Sequence, residues 1–235
     1  MSRAPDSTLE APAIPRRRVA SVMRRLAKEI EGLDQPAVEK IAEEQHEDAF
    51  QVLIGTMLSA QTRDAVTAAA SARLFRVART PRPMAKLTVT QIERLIYPVS
   101  FYRHKAVYVK RACEQILGRF GGKVPETMAE LLTLPGVGRK TANLVLILAH
   151  RSRRNICVDT HVHRISNRLG WVRTRTPEAT ELALYAASHR KWWPILNLYL
   201  VTWGQNVCRP IYPLCGSCAI HDLCPRIGVA KVGKS

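Results

Sequence analysis

Apolar residues recur at spacings of three and four along most of the chain, which is the period of an amphipathic α-helix. The pattern predicts helices over the ranges 17–31, 35–43, 47–60, 62–77, 88–97, 102–120, 126–134, 139–150, 160–168, 177–190 and 194–206. No convincing run of alternating apolar and polar residues, the period of a half-buried strand, is present. The chain is therefore predicted to be all-α.

Signals for the starts of helices support several of these ranges. Thr88 and Gln91 have the spacing of a capping box, in which two side chains satisfy the first amides of a helix. Thr127 and Glu130 repeat this spacing. A basic run at 151–154 separates two apolar segments, and we predict a domain junction near it.

The charge of the chain is unusual for a protein of 235 residues. Thirty-six Lys and Arg face 19 Asp and Glu, which gives a formal net charge of +17. A surplus of this size favours a polyanionic partner, because cationic side chains that neutralise phosphates release condensed counterions. Ribosomal proteins and proteins of anionic membrane surfaces carry similar surpluses. Charge therefore favours nucleic acid without establishing it.

Segments that would direct the chain to or across a membrane are not evident. Residues 1–16 lack the apolar stretch of a signal peptide and are expected to form a disordered tail. The longest apolar run, 144–149, is far too short to span a bilayer. We therefore expect no membrane partner and a cytoplasmic, reducing location, where clustered cysteines more often bind metal than form disulfides.

A glycine-containing turn lies between two predicted helices, in the segment LPGVGRKTA at 134–142. Gly136 and Gly138 permit a tight turn and leave backbone N–H groups uncovered. Those groups precede a helix whose N-terminus favours anions, so the segment predicts a phosphate site that is indifferent to base sequence. A nucleotide-binding P-loop is excluded because Arg139 separates Gly138 from Lys140. An ordinary turn between two helices is the structural alternative.

Asp159 lies between a short apolar run and a basic amphipathic helix. Its simplest interpretation is the N-cap of that helix, where a carboxylate accepts hydrogen bonds from the first amides. His161 and His163 follow it, but residues two apart point to different faces of a helix and no third ligand is near in sequence. We therefore expect an N-cap at Asp159 and no zinc site at the histidines.

Four cysteines fall within a short proline-containing segment near the C-terminus: Cys208, Cys215, Cys218 and Cys224. The segment has little apolar periodicity and cannot build a core of its own, so a bound metal centre is predicted to organise it. Coordination chemistry alone allows either a four-thiolate zinc site or a [4Fe–4S] cluster. The remaining cysteines, Cys113 and Cys157, lie in apolar surroundings and are predicted to be core residues.

The motifs occur in a fixed order: LSAQ at 58–61, the glycine turn, VDTH at 158–161 and the cysteine segment. In that order they resemble the endonuclease III family of helix–hairpin–helix DNA glycosylases, from about residue 49 to 225. The resemblance implies a two-lobed all-α fold with a C-terminal iron–sulfur loop. The expected parts are a disordered tail at 1–16, a helical barrel with the hairpin at 43–153, a second lobe from 17–42 and 154–228, and a tail at 229–235.

The resemblance also implies the chemistry of the site. It places Lys140 at the family's catalytic lysine and Asp159 at its essential carboxylate. A lysine amine can attack C1′ of a damaged nucleoside, expel the base and form a Schiff base, after which β-elimination cuts the strand. The carboxylate would stabilise the positive charge that develops on the sugar and help to move protons.

The expected activity is removal of oxidised pyrimidines, followed by lyase cleavage at the resulting abasic (AP) site. The expected partner is double-stranded DNA that contains damaged bases or abasic sites, bound by a monomeric enzyme. A monofunctional adenine glycosylase and a non-catalytic helix–hairpin–helix DNA-binding module are the alternatives. Lys140 argues against the first, and the second would need neither Lys140 nor Asp159.

Further residues are assigned by the same resemblance. Gln61 would fill the space that the extruded base leaves, and Phe101 would wedge between bases. A capping role for Gln61 and core packing for Phe101 are the alternatives. The other assignments are phosphate contacts at Gly136, Val137, Gly138, Arg139 and Arg209, a base pocket that includes Ser59, Asp64 and His161, and a [4Fe–4S] cluster on the four cysteines, whose 6–2–5 spacing the family shares.

Overall fold

The computed structural model of the chain describes residues 16–44 and 48–233, and the regular secondary structure in those ranges is helical throughout. The prediction of an all-α fold is confirmed. The α-helices are α1 (Arg16–Glu29), α2 (Ala37–Glu44), α3 (Ala49–Ser59), α4 (Asp64–Val77), α5 (Pro81–Lys86), α6 (Val89–Ile96), α7 (Tyr102–Arg119), α8 (Met128–Leu131), α9 (Arg139–Leu148), α10 (Thr160–Arg168), α11 (Pro177–Ala187) and α12 (Trp193–Asn206). Two short 3₁₀ helices are Arg190–Trp192 and His221–Leu223.

The ends of the predicted helices agree with the structure to within three residues, and the largest departures concern α5 and α8. α5 was not predicted, because six residues that include prolines are too few to display a period. α8 covers only part of the predicted range 126–134. Hydrogen bonds from the Thr133 and Leu134 amides to carbonyls three residues back tighten the chain there and lead it into the glycine turn.

The predicted capping boxes form to different extents. At α6 the Gln91 amide donates to Thr88 Oγ1 at 3.2 Å, and the Thr88 amide donates to Gln91 Oε1 at 2.8 Å, so the box is confirmed. At α8 the Glu130 amide donates to Thr127 Oγ1 at 3.3 Å, which confirms the cap. The Glu130 carboxylate accepts from the Thr127 hydroxyl and not from the Thr127 amide, so the prediction of a full capping box there is wrong.

The chain separates into two compact units. The first contains Gln35–Cys157, and the second contains the described residues before 35 together with those from Val158 onward. The domain limits expected from the sequence, 43 and 153, lie eight and four residues from these, so that α2, most of which was expected in the second unit, belongs to the first. A small apolar cluster that contains Val38 of α2 and Cys157 holds both ends of the first unit together.

Helix α3 is the centre of the core of the first unit. Its residues 50–58 are all buried, which is typical of a helix that is apolar on nearly every face. Asp48 caps its start by accepting from the Gln51 amide at 2.9 Å. Helices α2, α4, α7 and α9 pack around it. The C-terminal end of α3 carries the LSAQ motif out of this core.

The second unit is built on α12, whose apolar residues Leu196, Leu200 and Trp203 are at most 3% exposed. Helices α1 and α10 pack against α12, and α11 packs against α10. Beyond α12 the described residues contain no α-helix. This C-terminal segment therefore depends on contacts with the other elements of its unit.

The predicted tails are described only in part. Residues 1–15 lie outside the described residues, and Arg16 is the first residue of α1 rather than the last residue of a tail. The tail predicted at 229–235 is described as far as Gly233, whose amide donates to the Pro213 carbonyl at 2.9 Å. None of the helices in the described ranges has the length and hydropathy that crossing a bilayer requires.

Candidate active site and metal centre

The glycine turn connects α8 to α9 and is built mainly from backbone. The Val137 amide donates to the Leu134 carbonyl at 3.1 Å, and Gly136 has a φ of 77°, in the left-handed region. Gly138 is the N-cap of α9, and no side chain of the described residues makes a capping hydrogen bond there. The first amides of a helix have no intrahelical acceptor, so the turn presents N–H donors and a positive helix end to an anion.

Val137 differs in its role from the other hairpin residues that were expected to contact DNA phosphates. Its side chain is 7% exposed and belongs to the apolar core, and its amide is bonded to the Leu134 carbonyl. Gly136, Gly138 and Arg139 are exposed. Val137 therefore anchors the turn in the core, and the groups that can reach a phosphate belong to its neighbours.

Gly136→Ala is expected to destabilise the protein by about 1–3 kcal/mol. A Cβ at this position would lie 2.8 Å from Tyr108 Cβ, and the φ of +77° is one that side chains rarely adopt. Gly138→Ala is the matched control, because its φ of −98° is ordinary and no atom of the described part of the chain lies within 4 Å of its Cβ. Urea denaturation measures both variants, and equal stabilities would contradict the expectation.

Lys140 occupies the first turn of α9, directly beyond the glycine turn. Its side chain is partly exposed, so its amine can meet a substrate. The Lys140 carbonyl accepts from the buried Cys157 thiol, with the sulfur 3.6 Å away. One turn further along α9, the Asn143 side-chain oxygen accepts from the Asn155 amide group at 2.9 Å. These contacts hold the start of α9 against the end of the first unit.

Asp159 lies in the second unit, at the start of α10. Its Oδ1 accepts from the His161 and Val162 amides, each at 2.9 Å, which confirms the predicted N-cap. A carboxylate held by two backbone donors has a fixed position, and its charge lies at the positive end of the helix. Lys140 belongs to the first unit, so each of the two expected catalytic residues is anchored within its own unit.

His161 is part of the packing of α10 on α12. Its Nδ1 lies 3.1 Å from Nη2 of Arg164, and Gly204 approaches so closely that a Cβ there would lie 2.5 Å from the same nitrogen. His163 Nδ1 instead lies 2.6 Å from Thr180 Oγ1 on α11. The two histidines thus face different neighbouring helices, and His161 stays partly exposed.

Ser59 and Asp64, both expected near the base pocket, flank the turn between α3 and α4. The Ser59 hydroxyl donates to the Thr56 carbonyl at 2.9 Å, within α3. Asp64 is the first residue of α4, where the positive end of the helix favours a carboxylate. Each therefore has a structural place at a helix end, beside the turn that carries Gln61.

Gln61 and Phe101 share an unusual backbone conformation. Their φ angles are 55° and 56°, in the left-handed region, which costs about 1 kcal/mol or more for a residue with a Cβ. Both side chains are exposed, that of Phe101 to 63%. The alternative in which Phe101 packs on the core is therefore wrong. Gln61 follows Ala60, which is the C-cap of α3.

The four predicted metal ligands, Cys208, Cys215, Cys218 and Cys224, line one cavity of the second unit and are free thiols. Burial raises the pKa of the last three, and the neighbouring Cys208 raises each of them further. Thiolates that repel one another in one cavity fit a cationic metal centre, whose charge would stabilise them. Cys113 and Cys157 are each 0% exposed, which confirms them as core residues.

Two arginines of α10, neither of them predicted from the sequence, hold the cysteine segment. Arg168 donates to Cys208 Sγ at 3.4 Å. It also donates to the carbonyls of Arg209 and Pro210, at 2.7 and 2.8 Å. Arg164 donates to the Cys208 carbonyl at 2.8 Å. Their i, i+4 spacing on one helix was a signal that both lie on one face. The Arg209 side chain is exposed, while its backbone is held by Arg168.

Comparison with known proteins gives both sequence relatives and structural neighbours. Residues 54–188 match the HhH-GPD superfamily base excision DNA repair protein family. Endonuclease III of Thermotoga maritima is 46% identical over 177 residues, which cover 75% of this chain and 83% of that protein. Endonuclease III homolog 2, chloroplastic, of Arabidopsis thaliana is 46% identical over 187 residues, and the match covers 76% of this chain but only 48%, about half, of that relative. A trapped endonuclease III–DNA covalent intermediate superposes with a TM-score of 0.79 at 30% identity, covering 91% of this chain and 97% of that one.

Proposed function

The chain belongs to the endonuclease III family of HhH-GPD base excision DNA repair proteins, and we propose that it is a DNA glycosylase with AP lyase activity. The observation that carries the proposal is the placement of Lys140, a partly exposed amine in the first turn of α9, directly beyond a glycine turn whose backbone N–H groups can bind a phosphate. A backbone site binds the strand without reading its sequence. The amine beside it can therefore meet the sugar of a lesion in any sequence.

In the proposed reaction, Lys140 Nζ attacks C1′ of the damaged nucleoside, and the glycosidic bond breaks with its electron pair leaving on the base. The Asp159 carboxylate stabilises the positive charge that develops on the sugar. Cleavage of the C1′–O4′ bond, with a proton taken up by O4′, gives a Schiff base between Nζ and C1′. That iminium acidifies C2′, so loss of a proton there expels the 3′ phosphate. Water then hydrolyses the imine and regenerates the amine of Lys140.

The proposed substrates are oxidised pyrimidines in double-stranded DNA, bound by a monomer. The net charge of +17 supports a polyanionic substrate. The structural neighbour that was solved as a covalent endonuclease III–DNA intermediate supports a reaction in which a protein group bonds to the DNA. Gln61 and Phe101, both exposed on strained backbone, are proposed to fill the space of the extruded base and to wedge between its neighbours.

Reduction with sodium borohydride tests this function directly, because it converts a Schiff base into a stable protein–DNA adduct. We expect an adduct with abasic duplex DNA, and base release from oligonucleotides that carry one oxidised pyrimidine but not from undamaged duplex. Binding without an adduct would point to a non-catalytic DNA-binding module. Release of adenine without strand cleavage would point to a monofunctional adenine glycosylase.

We also propose that the cysteine segment holds a [4Fe–4S] cluster. The residues fit this group, since the four thiols line one cavity and α10 holds the intervening backbone through Arg164 and Arg168. The 6–2–5 spacing of these cysteines, which resembles that of the endonuclease III family, favours the cluster over a four-thiolate zinc site. Glycosylase chemistry transfers no electrons, so the cluster would serve to cross-link a segment that lacks an α-helix.

Protein purified without oxygen is expected to be brown and to contain iron and acid-labile sulfide. Cys218→Ser should lose most of the visible absorption, because it removes one of the four thiolate ligands. Cys113→Ala is the matched control, since it removes a buried thiol from the other unit and should keep the absorption. A colourless, zinc-containing protein would overturn the cluster proposal.

A further inference from the structure

Lys105 is a buried lysine that the proposed chemistry does not use. It lies in the first turn of α7 and is 8% exposed. Burial lowers its pKa to about 8, because desolvation penalises the ammonium form. At neutral pH the side chain is therefore mainly an ammonium group with three N–H donors. A buried charge is costly unless its donors are satisfied, so the partners of this group define its role.

The ammonium group has three acceptors at the end of α3. Lys105 Nζ donates to the carbonyls of Leu58 and Ala60, at 2.7 and 2.6 Å. It also donates to Thr62 Oγ1 at 3.2 Å. The last carbonyls of a helix lack intrahelical donors and carry the negative end of its dipole, so a cation caps them well. Gln61 lies between Ala60 and Thr62, and these bonds therefore hold the residues on both sides of it.

The same lysine is also bonded to the turn that carries Phe101. The Lys105 amide donates to the Phe101 carbonyl at 3.0 Å. The Ser100 amide donates to Thr62 Oγ1 at 3.2 Å, so Thr62 accepts from Lys105 and from the residue that precedes Phe101. One hydrogen-bond network thus connects the two exposed residues with left-handed backbone.

We propose that Lys105 is a positioning residue that holds Gln61 and Phe101 in a fixed mutual arrangement, so that both side chains enter the DNA as the damaged base leaves. The inference rests on the proposed roles of Gln61 and Phe101 in the glycosylase. Strained residues keep one conformation only where their surroundings impose it. Extruding a base costs about a few kcal/mol of unstacking before any bond breaks. Lys105 therefore affects extrusion of the base, and not the attack by Lys140.

Lys105→Met removes the ammonium group and keeps an unbranched side chain. Base release from duplex DNA is expected to slow by about 10- to 100-fold under single-turnover conditions. Borohydride trapping on single-stranded abasic DNA should change by less than about twofold, since no stacked base has to be extruded. Lys110→Met is the matched control: Lys110 lies on the same helix but donates to the Ala85 and Leu87 carbonyls, at 2.8 and 3.2 Å, at the end of α5. Its duplex rate should equal that of the wild type.

A double-mutant cycle separates positioning from a general structural role. In a Gln61→Ala, Phe101→Ala background, Lys105→Met should change the duplex rate by less than about twofold, because the residues through which it acts are gone. If Lys105→Met slowed base release in that background by as much as it does in the wild-type background, the proposal would be overturned. Equal losses on duplex and single-stranded substrates in the single variant would also overturn it.

Hydrogen–deuterium exchange adds a measurement that needs no activity. In Lys105→Met, the amides of residues 59–63 and 99–102 should exchange faster than in Lys110→Met. Unchanged exchange in both segments would contradict the proposed role of Lys105. If the wild-type protein neither releases bases nor forms an adduct, the proposed function fails instead, and the exchange measurement still decides whether Lys105 holds the two turns.

Discussion

Lys140→Gln is expected to abolish the covalent adduct with abasic DNA and to slow base release by on the order of 10⁴-fold or more. A glutamine amide is not nucleophilic enough to form a Schiff base, so both the attack on C1′ and the later elimination are lost. The fold should be unaffected, because the Lys140 side chain is partly exposed and the contact from Cys157 is made to the Lys140 carbonyl. Borohydride trapping and single-turnover kinetics measure the two effects.

Lys140→Arg separates nucleophilicity from charge. Arginine keeps a positive charge beside the phosphate site, but its guanidinium group stays protonated and cannot attack. We therefore expect DNA affinity within about threefold of the wild type, with no adduct. An adduct formed by either variant would mean that another amine is the nucleophile, and the proposed role of Lys140 would be wrong.

Most of the fold could be predicted because most of the long helices bury one face and display its period, while α3, which is buried on nearly every face, is a long, mainly apolar run. The range predicted for α10, 160–168, agrees with the structure, and α3 was predicted as 47–60 against an observed Ala49–Ser59. Short helices behave differently. α5 begins at a proline and has six residues, so its position depends on its neighbours and on turn chemistry more than on any pattern of its own.

In the candidate site, residues whose partners are near in sequence could be predicted, and residues whose partners are distant could not. Asp159 could be predicted as a cap because the amides that donate to its side chain lie only two and three residues ahead. Lys105 and Arg168 could not be predicted, since their partners lie far along the chain: Leu58 is 47 positions from Lys105, and Cys208 is 40 positions from Arg168. Among 36 Lys and Arg, nothing in the local sequence distinguishes a cation that holds a distant loop from one on a solvated surface.

Asp159→Asn is expected to slow base release by about 10²- to 10⁴-fold, while the free energy of unfolding stays within about 0.5 kcal/mol of the wild type. Asparagine and aspartate are comparable N-caps, so the side-chain oxygen can still accept from the His161 and Val162 amides. The substitution removes only the negative charge that stabilises the developing charge on the sugar. Trapping on DNA that already lacks the base should therefore fall less than base release does.

Asp159→Ala completes the comparison, because it removes the cap together with the charge. We expect it to lower the free energy of unfolding by about 1 kcal/mol, measured by urea denaturation, and to slow base release to the same extent as Asp159→Asn. Activity in Asp159→Asn close to that of the wild type, with a loss only in Asp159→Ala, would make Asp159 a structural cap alone. If Asp159→Asn instead loses activity while its free energy of unfolding is unchanged, base release depends on the negative charge of Asp159 and not on the cap. The two amide hydrogen bonds then contribute to the rate only by holding that charge in place.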